Sequence, residues 1–136
     1  MRVAAVTGLS GSGKTTLVEA LIRRYAGAGV RVAAIKHTHH PLARSSYDAT
    51  TDTARFAAAG ASPVILADDN EALIDGSERV TYDSPLDLLA HVREAEVVLV
   101  EGFKRFHGWA RIDLVHGRWR DPAEVAANLD RIWRSS

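Results

Sequence analysis

The chain has 136 residues, of which 46% are hydrophobic and 25% are charged. This length is typical of one domain, and the composition is that of a folded globular protein rather than a disordered one. The 17 basic and 17 acidic residues cancel, which argues against broad binding to nucleic acid or to an anionic membrane surface. We therefore expect a single domain, residues 1–136, that recognises its partners through a local site.

The sequence contains no cysteine, which excludes a disulfide framework, a thiolate metal site and a cysteine nucleophile. The first apolar run ends at Gly8 and is too short for a signal-peptide core or a membrane span. Both features predict a cytoplasmic protein that does not bind a membrane.

Continuous apolar segments alternate with helical patterns along the chain, and this alternation predicts an α/β domain. Runs of β-branched residues without polar alternation are typical of parallel strands that are covered on both faces. In chain order, the segments of this kind are 3–6, 30–35, 64–67 and 97–100. We expect them to form a mainly parallel sheet.

Helical patterns fill the gaps between these strands. Between the first two strands, apolar residues recur at helical spacing from Leu17 to Tyr25, and Gly27 ends the pattern. The alanine-rich residues 53–59 predict a second helix. Residues 37–51 show no clear periodicity and form the longest candidate functional loop.

The later elements are expected to be shorter. Ser84 and Pro85 form a helix-start pattern with Asp87, which predicts a third helix that ends near residue 92. Asp121 and Pro122 repeat this pattern before a C-terminal helix that packs against the domain. The apolar stripe of that helix consists of Val125, Leu129, Ile132 and Trp133. Short edge strands are expected over residues 72–74, 80–82 and 112–115.

Residues 8–15 match the phosphate-binding pattern G-x-x-x-x-G-K-[ST], and they lie between a predicted strand and a predicted helix. The glycines allow backbone N–H groups to surround a polyphosphate at the positive end of the helix. Lys14 is expected to contact the β- and γ-phosphates, and Thr15 to ligate Mg²⁺. The predicted nucleotide-binding residues here are Gly8, Ser10, Gly11, Ser12, Gly13, Lys14, Thr15 and Thr16. The predicted fold is therefore a three-layer P-loop NTPase fold with a mainly parallel sheet, short edge strands and a C-terminal helix.

Strand 97–100 is followed by Glu101 and Gly102, where P-loop proteins place the acid that completes the Mg²⁺ shell or orients a water. Glu101 is therefore a candidate metal-binding and catalytic residue alongside Lys14. The alternative interpretation of Glu101 is a strand-end charge that faces solvent. Lys104 is a candidate contact for the γ-phosphate.

Residues 36–40 read Lys-His-Thr-His-His and begin at the carboxyl end of the second predicted strand. Parallel strands share this edge of the sheet with the P-loop, so His37 is expected to line the nucleotide pocket. Two alternatives stay open: a polar surface loop, and a transition-metal site in which Asp48 or Asp52 supplies a further ligand.

These blocks together resemble the MobB family, the molybdopterin-guanine dinucleotide biosynthesis adaptors, which are P-loop GTP-binding proteins. The resemblance runs from about residue 2 to residue 116, and its blocks are 8–17, 35–40, 52–61 and 99–104. It implies binding of GTP with Mg²⁺, association into a homodimer, and assistance to a MobA-type guanylyltransferase acting on molybdopterin-bearing proteins.

The chain departs from the family pattern in two places. Thr50-Thr51 stands where relatives usually carry Gly-Lys, and there is no Asn-Lys-x-Asp box of the kind that reads guanine. A preference for guanine therefore depends on the resemblance alone. Residues 117–136 match nothing distinctive.

The leading hypothesis is a GTP-binding accessory protein of molybdenum cofactor biosynthesis, a weak GTPase at most, whose hydrolysis is slow or depends on a partner. One alternative is a small-molecule kinase, for which Arg118 and Arg120 are the lid-like pair. The other is a metal-delivery GTPase that uses His37, His39 and His40.

Overall fold

The computed structural model describes residues 1–9, 12–44, 47–115 and 120–135, with the backbone alone at residues 44, 47 and 48. Its strands are β1 (Arg2–Gly8), β2 (Val32–His37), β3 (Val64–Ala67), β4 (Glu71–Ile74), β5 (Glu78–Thr81), β6 (Val97–Glu101) and β7 (Ala110–Leu114). Its α-helices are α1 (Lys14–Gly27), α2 (Tyr47–Ala59) and α3 (Pro122–Arg134), and short 3₁₀ helices span Leu42–Arg44 and Pro85–His91. None of the described helices could span a lipid bilayer.

The strands form one sheet in the order β5-β4-β3-β2-β6-β1-β7. From β3 to β7 in this order all neighbours are parallel, whereas β4 and β5 run antiparallel at one side. The carboxyl ends of β1, β2 and β6 therefore meet at one edge of the sheet. The predicted α/β fold with a mainly parallel sheet and a C-terminal helix is confirmed.

Each face of the sheet has its own core. On one face, the three α-helices pack on the sheet through residues such as Leu21, Phe56 and Leu129. The other face is covered by Leu88, Val92 and neighbouring aromatic residues rather than by a long helix. The strand residues alternate between the two cores, as the pleat of a strand requires.

The predicted starts of the second helix and of the second strand are wrong for identifiable reasons. Helix α2 begins at Tyr47 rather than at residue 53, so the end of the expected loop 37–51 is helical. Its first turns are rich in threonine and aspartate, which have low helix propensity and hide the helical period. The second strand begins at Val32 rather than at residue 30, because Val30 N–H donates to Tyr25 C=O and closes α1.

The helix predicted after Ser84 is a 3₁₀ helix, Pro85–His91. The capping box is present, with Asp87 accepting from the Ser84 N–H at 2.9 Å. Such a box marks a helix start but does not decide between α and 3₁₀ geometry. Among the short strands, β5 and β7 are edge strands as expected, whereas β4 lies one position inside.

The start and most of the buried stripe of α3 agree with the sequence. Asp121 caps the helix by accepting from Ala123 N–H at 3.1 Å. Val125 and Leu129 are fully buried, and Trp133 packs against the same core. Ile132 lies at the margin of the stripe and is 44% exposed.

Candidate functional site

The P-loop lies at the carboxyl edge of the sheet, between β1 and α1. Gly13 is the N-terminal cap of α1 and has φ of 91°, a left-handed conformation that side chains with a Cβ rarely adopt. Its carbonyl accepts from Leu17 N–H at 3.0 Å and starts the helix. Ser10 and Gly11 lie outside the described residues.

A pocket of about 720 Å³ opens directly above this loop. Of the predicted nucleotide-binding residues, those that line it are Gly8, Gly13, Lys14, Thr15, Thr16, His37 and Lys104. Ser12 is not part of the lining, and its Oγ is buried without a hydrogen-bond partner among the described residues. Glu101 completes the wall, so the structure brings together the residues that the sequence placed on separate strands and loops.

Lys14 extends back across the loop, and its Nζ donates to Gly8 C=O at 2.8 Å. Burial lowers the pKa of Lys14, and the negative charge of Glu101 opposes this effect. A neutral carbonyl is a weak partner for an ammonium compared with a phosphate oxygen. The Nζ is therefore held at the pocket by a bond that an anionic ligand can replace.

Glu101 is 3% exposed, which excludes its interpretation as a solvent-facing charge. Its Oε1 lies 3.0 Å from Thr15 Oγ1 and 3.0 Å from Lys36 Nζ. Its Oε2 is buried and has no hydrogen-bond partner among the described residues. A buried carboxylate oxygen without a partner is costly, and it marks a position at which a ligand or water is expected.

Asp52 and Lys36 complete this cluster, and the sequence did not assign either of them to the nucleotide site. Asp52 Oδ2 lies 3.2 Å from Thr15 Oγ1 and 2.9 Å from Lys36 Nζ. Burial lowers the pKa of Lys36, but the two carboxylates outweigh it and the net shift is upward. Lys36 stands opposite Glu101 in the β2–β6 register, a pairing that the sequence alone does not reveal. Asp52 was hidden because it lies on the early part of α2 that lacked a helical period.

The oxygen atoms of this cluster suit Mg²⁺, which prefers hydroxyl and carboxylate ligands. Asp52 Oδ2 and Glu101 Oε1 lie 3.2 Å and 3.0 Å from Thr15 Oγ1, and Glu101 also carries the Oε2 that has no partner among the described residues. The chemistry of these donors therefore fits the metal that the P-loop pattern implies.

His37 forms one side of the pocket. Its ring stacks on Phe103 with 4.3 Å between the ring centres and 25° between the planes, and its Nε2 lies 2.8 Å from Asp69 Oδ1. Burial lowers the pKa of His37 more than Asp69 raises it. Gly102 lies against this histidine: a Cβ at that position would be 2.9 Å from His37 Cβ.

His39 and His40 also line the pocket. In the part of the chain that the structure describes, no three histidine or acidic side chains are placed to hold a metal ion together. Asp52, one expected partner of the histidines, is instead paired with Lys36, and the side chain of Asp48 lies outside the part that the structure describes.

A second pocket of about 430 Å³ adjoins the first one. His37, His39, Phe103 and Lys104 line both pockets. The remaining lining is Asp69, Tyr82, Asp83, Pro85, Arg105 and Phe106. Of the lid-like pair, Arg118 lies outside the described residues and Arg120 lines neither of these two pockets.

Comparison with solved structures supports the fold. A MobB protein homolog from Bacillus stearothermophilus is 26% identical, with a TM-score of 0.51 over 96% of this chain and 71% of that chain. A structure of Bacillus subtilis MobB has the same TM-score, 0.51, at 21% identity over 93% of this chain and 73% of that chain, a likeness of fold alone.

Comparison with sequences identifies the family. The chain is 41% identical over 103 residues to a molybdopterin-guanine dinucleotide biosynthesis adapter protein of Haemophilus influenzae, covering 74% of this chain and 56% of that protein. It is 32% identical over 108 residues to the Escherichia coli adapter protein, covering 74% of this chain and 58% of that one. The chain thus spans little more than half the length of these relatives. Residues 3–132 match the family model of molybdopterin guanine dinucleotide synthesis protein B, and the chain therefore belongs to the MobB family.

Proposed function

We propose that this protein is a GTP-binding accessory component of molybdopterin guanine dinucleotide synthesis. The family and the names of the relatives support the pathway. The observation that carries the nucleotide part of the proposal is the meeting of Lys14, Thr15 and Glu101 in one pocket at the amino end of α1.

In this proposal the phosphates of GTP lie against the P-loop backbone and the first turn of α1. N–H groups at a helix start have no partner within the helix, and the helix dipole favours negative charge there. Lys14 Nζ exchanges the carbonyl of Gly8 for phosphate oxygens. Thr16, His37 and Lys104 also line the pocket, and Lys104 adds a second positive charge near Lys14.

Thr15, Asp52 and Glu101 are the residues that hold Mg²⁺ in this proposal. When it is bound, the ion neutralises the charge that builds up between the β- and γ-phosphates. The three oxygens come from α1, α2 and the end of β6, so metal binding would couple both helices to the sheet.

Hydrolysis is proposed to be slow or to depend on a partner. In this proposal Glu101 orients a water, which would donate a hydrogen bond to the Oε2 that has no partner among the described residues. Within the described part of the chain, the arginine that lines the pocket is Arg55, and its Nε lies 2.6 Å from Glu19. An arginine held in this way is not aimed at a phosphate, so the charge that speeds GTP hydrolysis would come from another protein.

The proposed partners are a MobA-type guanylyltransferase, molybdopterin-bearing proteins and a second copy of this chain, in the cytoplasm. Their support is the family and the name "adapter" carried by the relatives. Adding the chain with GTP to a guanylyltransferase reaction should raise the yield of dinucleotide. An unchanged yield, with nucleotide binding intact, would remove the adapter part of the proposal.

Calorimetry tests the nucleotide part. GTP should bind more tightly than ATP in the presence of Mg²⁺, and Lys14→Ala should lower GTP affinity by at least about tenfold because it removes a charge-assisted contact to phosphate. Arg24→Ala is the matched control, since Arg24 lies on the same helix at its other end and should not affect binding. Equal affinities for GTP and ATP would contradict the guanine preference, and unchanged binding by Lys14→Ala would contradict the site.

The second pocket favours one other candidate, a small-molecule kinase, because it offers room for an acceptor beside the phosphates. A phosphorylated product formed from GTP or ATP and a metabolite mixture, detected by mass spectrometry, would support it. Nucleotide binding without such a product supports the adapter.

A further inference from the structure

A lysine contacts both carboxylates of the proposed metal site. Lys36 Nζ lies 2.9 Å from Asp52 Oδ2 and 3.0 Å from Glu101 Oε1. The same two oxygens are 3.2 Å and 3.0 Å from Thr15 Oγ1. The ammonium and the P-loop hydroxyl therefore share both carboxylate oxygens.

This sharing makes Lys36 and a metal ion mutually exclusive. An Mg²⁺ ion that binds Thr15 takes oxygen ligands at about 2.1 Å, and the ammonium already uses the carboxylate oxygens that would supply or orient those ligands. Two cations held by the same oxygens also repel one another strongly where water is largely excluded. The side chain of Lys36 is only 12% exposed, so bulk water screens little of this repulsion.

The position of Lys36 follows from the sheet. Lys36 stands opposite Glu101 in the β2–β6 register, and it lines the same pocket as Lys14. Without Lys36, the carboxylates of Asp52 and Glu101 would lose the cation that contacts both of them, since Lys14 Nζ donates to Gly8 C=O instead. A lysine at this place stabilises the site as long as no metal is bound.

We propose that Lys36 is the resident cation of the nucleotide-free site, and that Mg²⁺ binds only when the Lys36 ammonium has left Asp52 and Glu101. The inference rests on the proposed function in one respect: the metal enters together with a triphosphate, whose charge attracts the released ammonium. Free divalent metal then binds poorly, and metal and nucleotide bind with strong coupling.

The test measures metal binding in the absence of nucleotide, with Mn²⁺ as the probe and electron paramagnetic resonance as the readout. Lys36→Met keeps an unbranched apolar side chain of similar size and removes the ammonium group and its charge. It should raise the affinity for free Mn²⁺ by at least about tenfold. Arg55→Met is the matched control: it removes a positive charge from the pocket lining without touching the two carboxylates and should change the affinity much less. An affinity unchanged by Lys36→Met, or raised equally by both variants, would overturn the proposal.

A second pair of variants controls for a loss of folding, because Lys36→Met leaves the like charges of Asp52 and Glu101 without the ammonium between them. Asp52→Asn keeps the contact between Lys36 and Glu101, and the double variant Lys36→Met/Asp52→Asn leaves Glu101 as the one carboxylate of the cluster. The double variant should bind Mn²⁺ more tightly than Asp52→Asn alone. Equal binding by the two proteins would contradict the proposal.

The outcomes separate this inference from the proposed function. If wild-type protein binds Mg²⁺-GTP but Lys36→Met leaves free Mn²⁺ binding unchanged, the inference fails and the function stands. If Lys36→Met raises Mn²⁺ affinity but no nucleotide binds to the wild type, the function fails and the resident cation stands.

Discussion

Replacement of Gly102 by alanine tests how the strand-end acid and the histidine wall are held together. Gly102 has φ of +104° and lies directly after Glu101. A Cβ there would lie 2.9 Å from His37 Cβ and 3.4 Å from His37 C=O. Real Cβ atoms do not approach another atom as closely as 2.9 Å, so β2 and β6 would have to move apart at their carboxyl ends.

The expected cost has two parts. An alanine at positive φ costs about 1–2 kcal/mol, and forcing an extra methyl group into a packed site costs about 1–3 kcal/mol. Gly102→Ala should therefore lower the free energy of unfolding by about 2–5 kcal/mol, the sum of the two parts. Gly29 has φ of +82°, and a Cβ at that position would have no atom of the described residues within 4 Å. Gly29→Ala should therefore show the backbone part alone, about 1–2 kcal/mol.

Urea denaturation of the two variants and the wild type measures this difference. We expect equal m-values and a lower midpoint for Gly102→Ala than for Gly29→Ala. If both variants lost the same free energy of unfolding, the close approach of Gly102 to His37 would not affect stability, and the reasoning would be refuted.

Three further predictions concern stability. Asp68 accepts from three backbone N–H groups at 2.8–3.0 Å, so Asp68→Ala should cost about 3 kcal/mol of unfolding free energy in urea melts, against less than about 0.5 for the exposed Glu78→Ala. Burial lowers the pKa of His37 below its usual 6.5, so as pH falls the His37 ring is protonated in the unfolded chain before it is protonated in the folded protein. The wild type should therefore lose more free energy of unfolding than His37→Gln between pH 7 and pH 5. Equal losses in the two proteins would contradict this. Leu129→Ala should cost about 2–5 kcal/mol at a fully buried position, and a comparable loss for the more exposed Ile132→Ala would contradict the orientation of α3.

The sequence was most informative where one local pattern determines the structure. The P-loop pattern places Gly13 and Lys14 at the start of α1, and the buried runs predict β3 without error. Asp121 and Pro122 likewise mark the start of α3. In each case the cause lies within a few neighbouring residues, such as a cap, a required positive φ or a run of β-branched side chains.

The sequence was least informative where function depends on pairing between distant residues. Asp52 reaches the site only because α2 starts six residues earlier than its apolar pattern indicated, and its role required knowing that α2 packs on α1. Lys36 was seen as part of a histidine segment, while its partner Glu101 was assigned separately. Their contact depends on the β2–β6 register, which no local pattern contains.

The decisive experiment for the nucleotide site is the Mg²⁺ dependence of GTP binding in wild-type protein and in Glu101→Gln, measured by calorimetry. If the pocket holds a metal-bound triphosphate through Thr15 and Glu101, wild-type protein should bind GTP at least about tenfold more tightly with Mg²⁺ than with a chelator, and Glu101→Gln should lose most of this difference. Equal GTP affinity with and without Mg²⁺ in the wild type, or a full metal effect in Glu101→Gln, would contradict the proposed metal-bound triphosphate site.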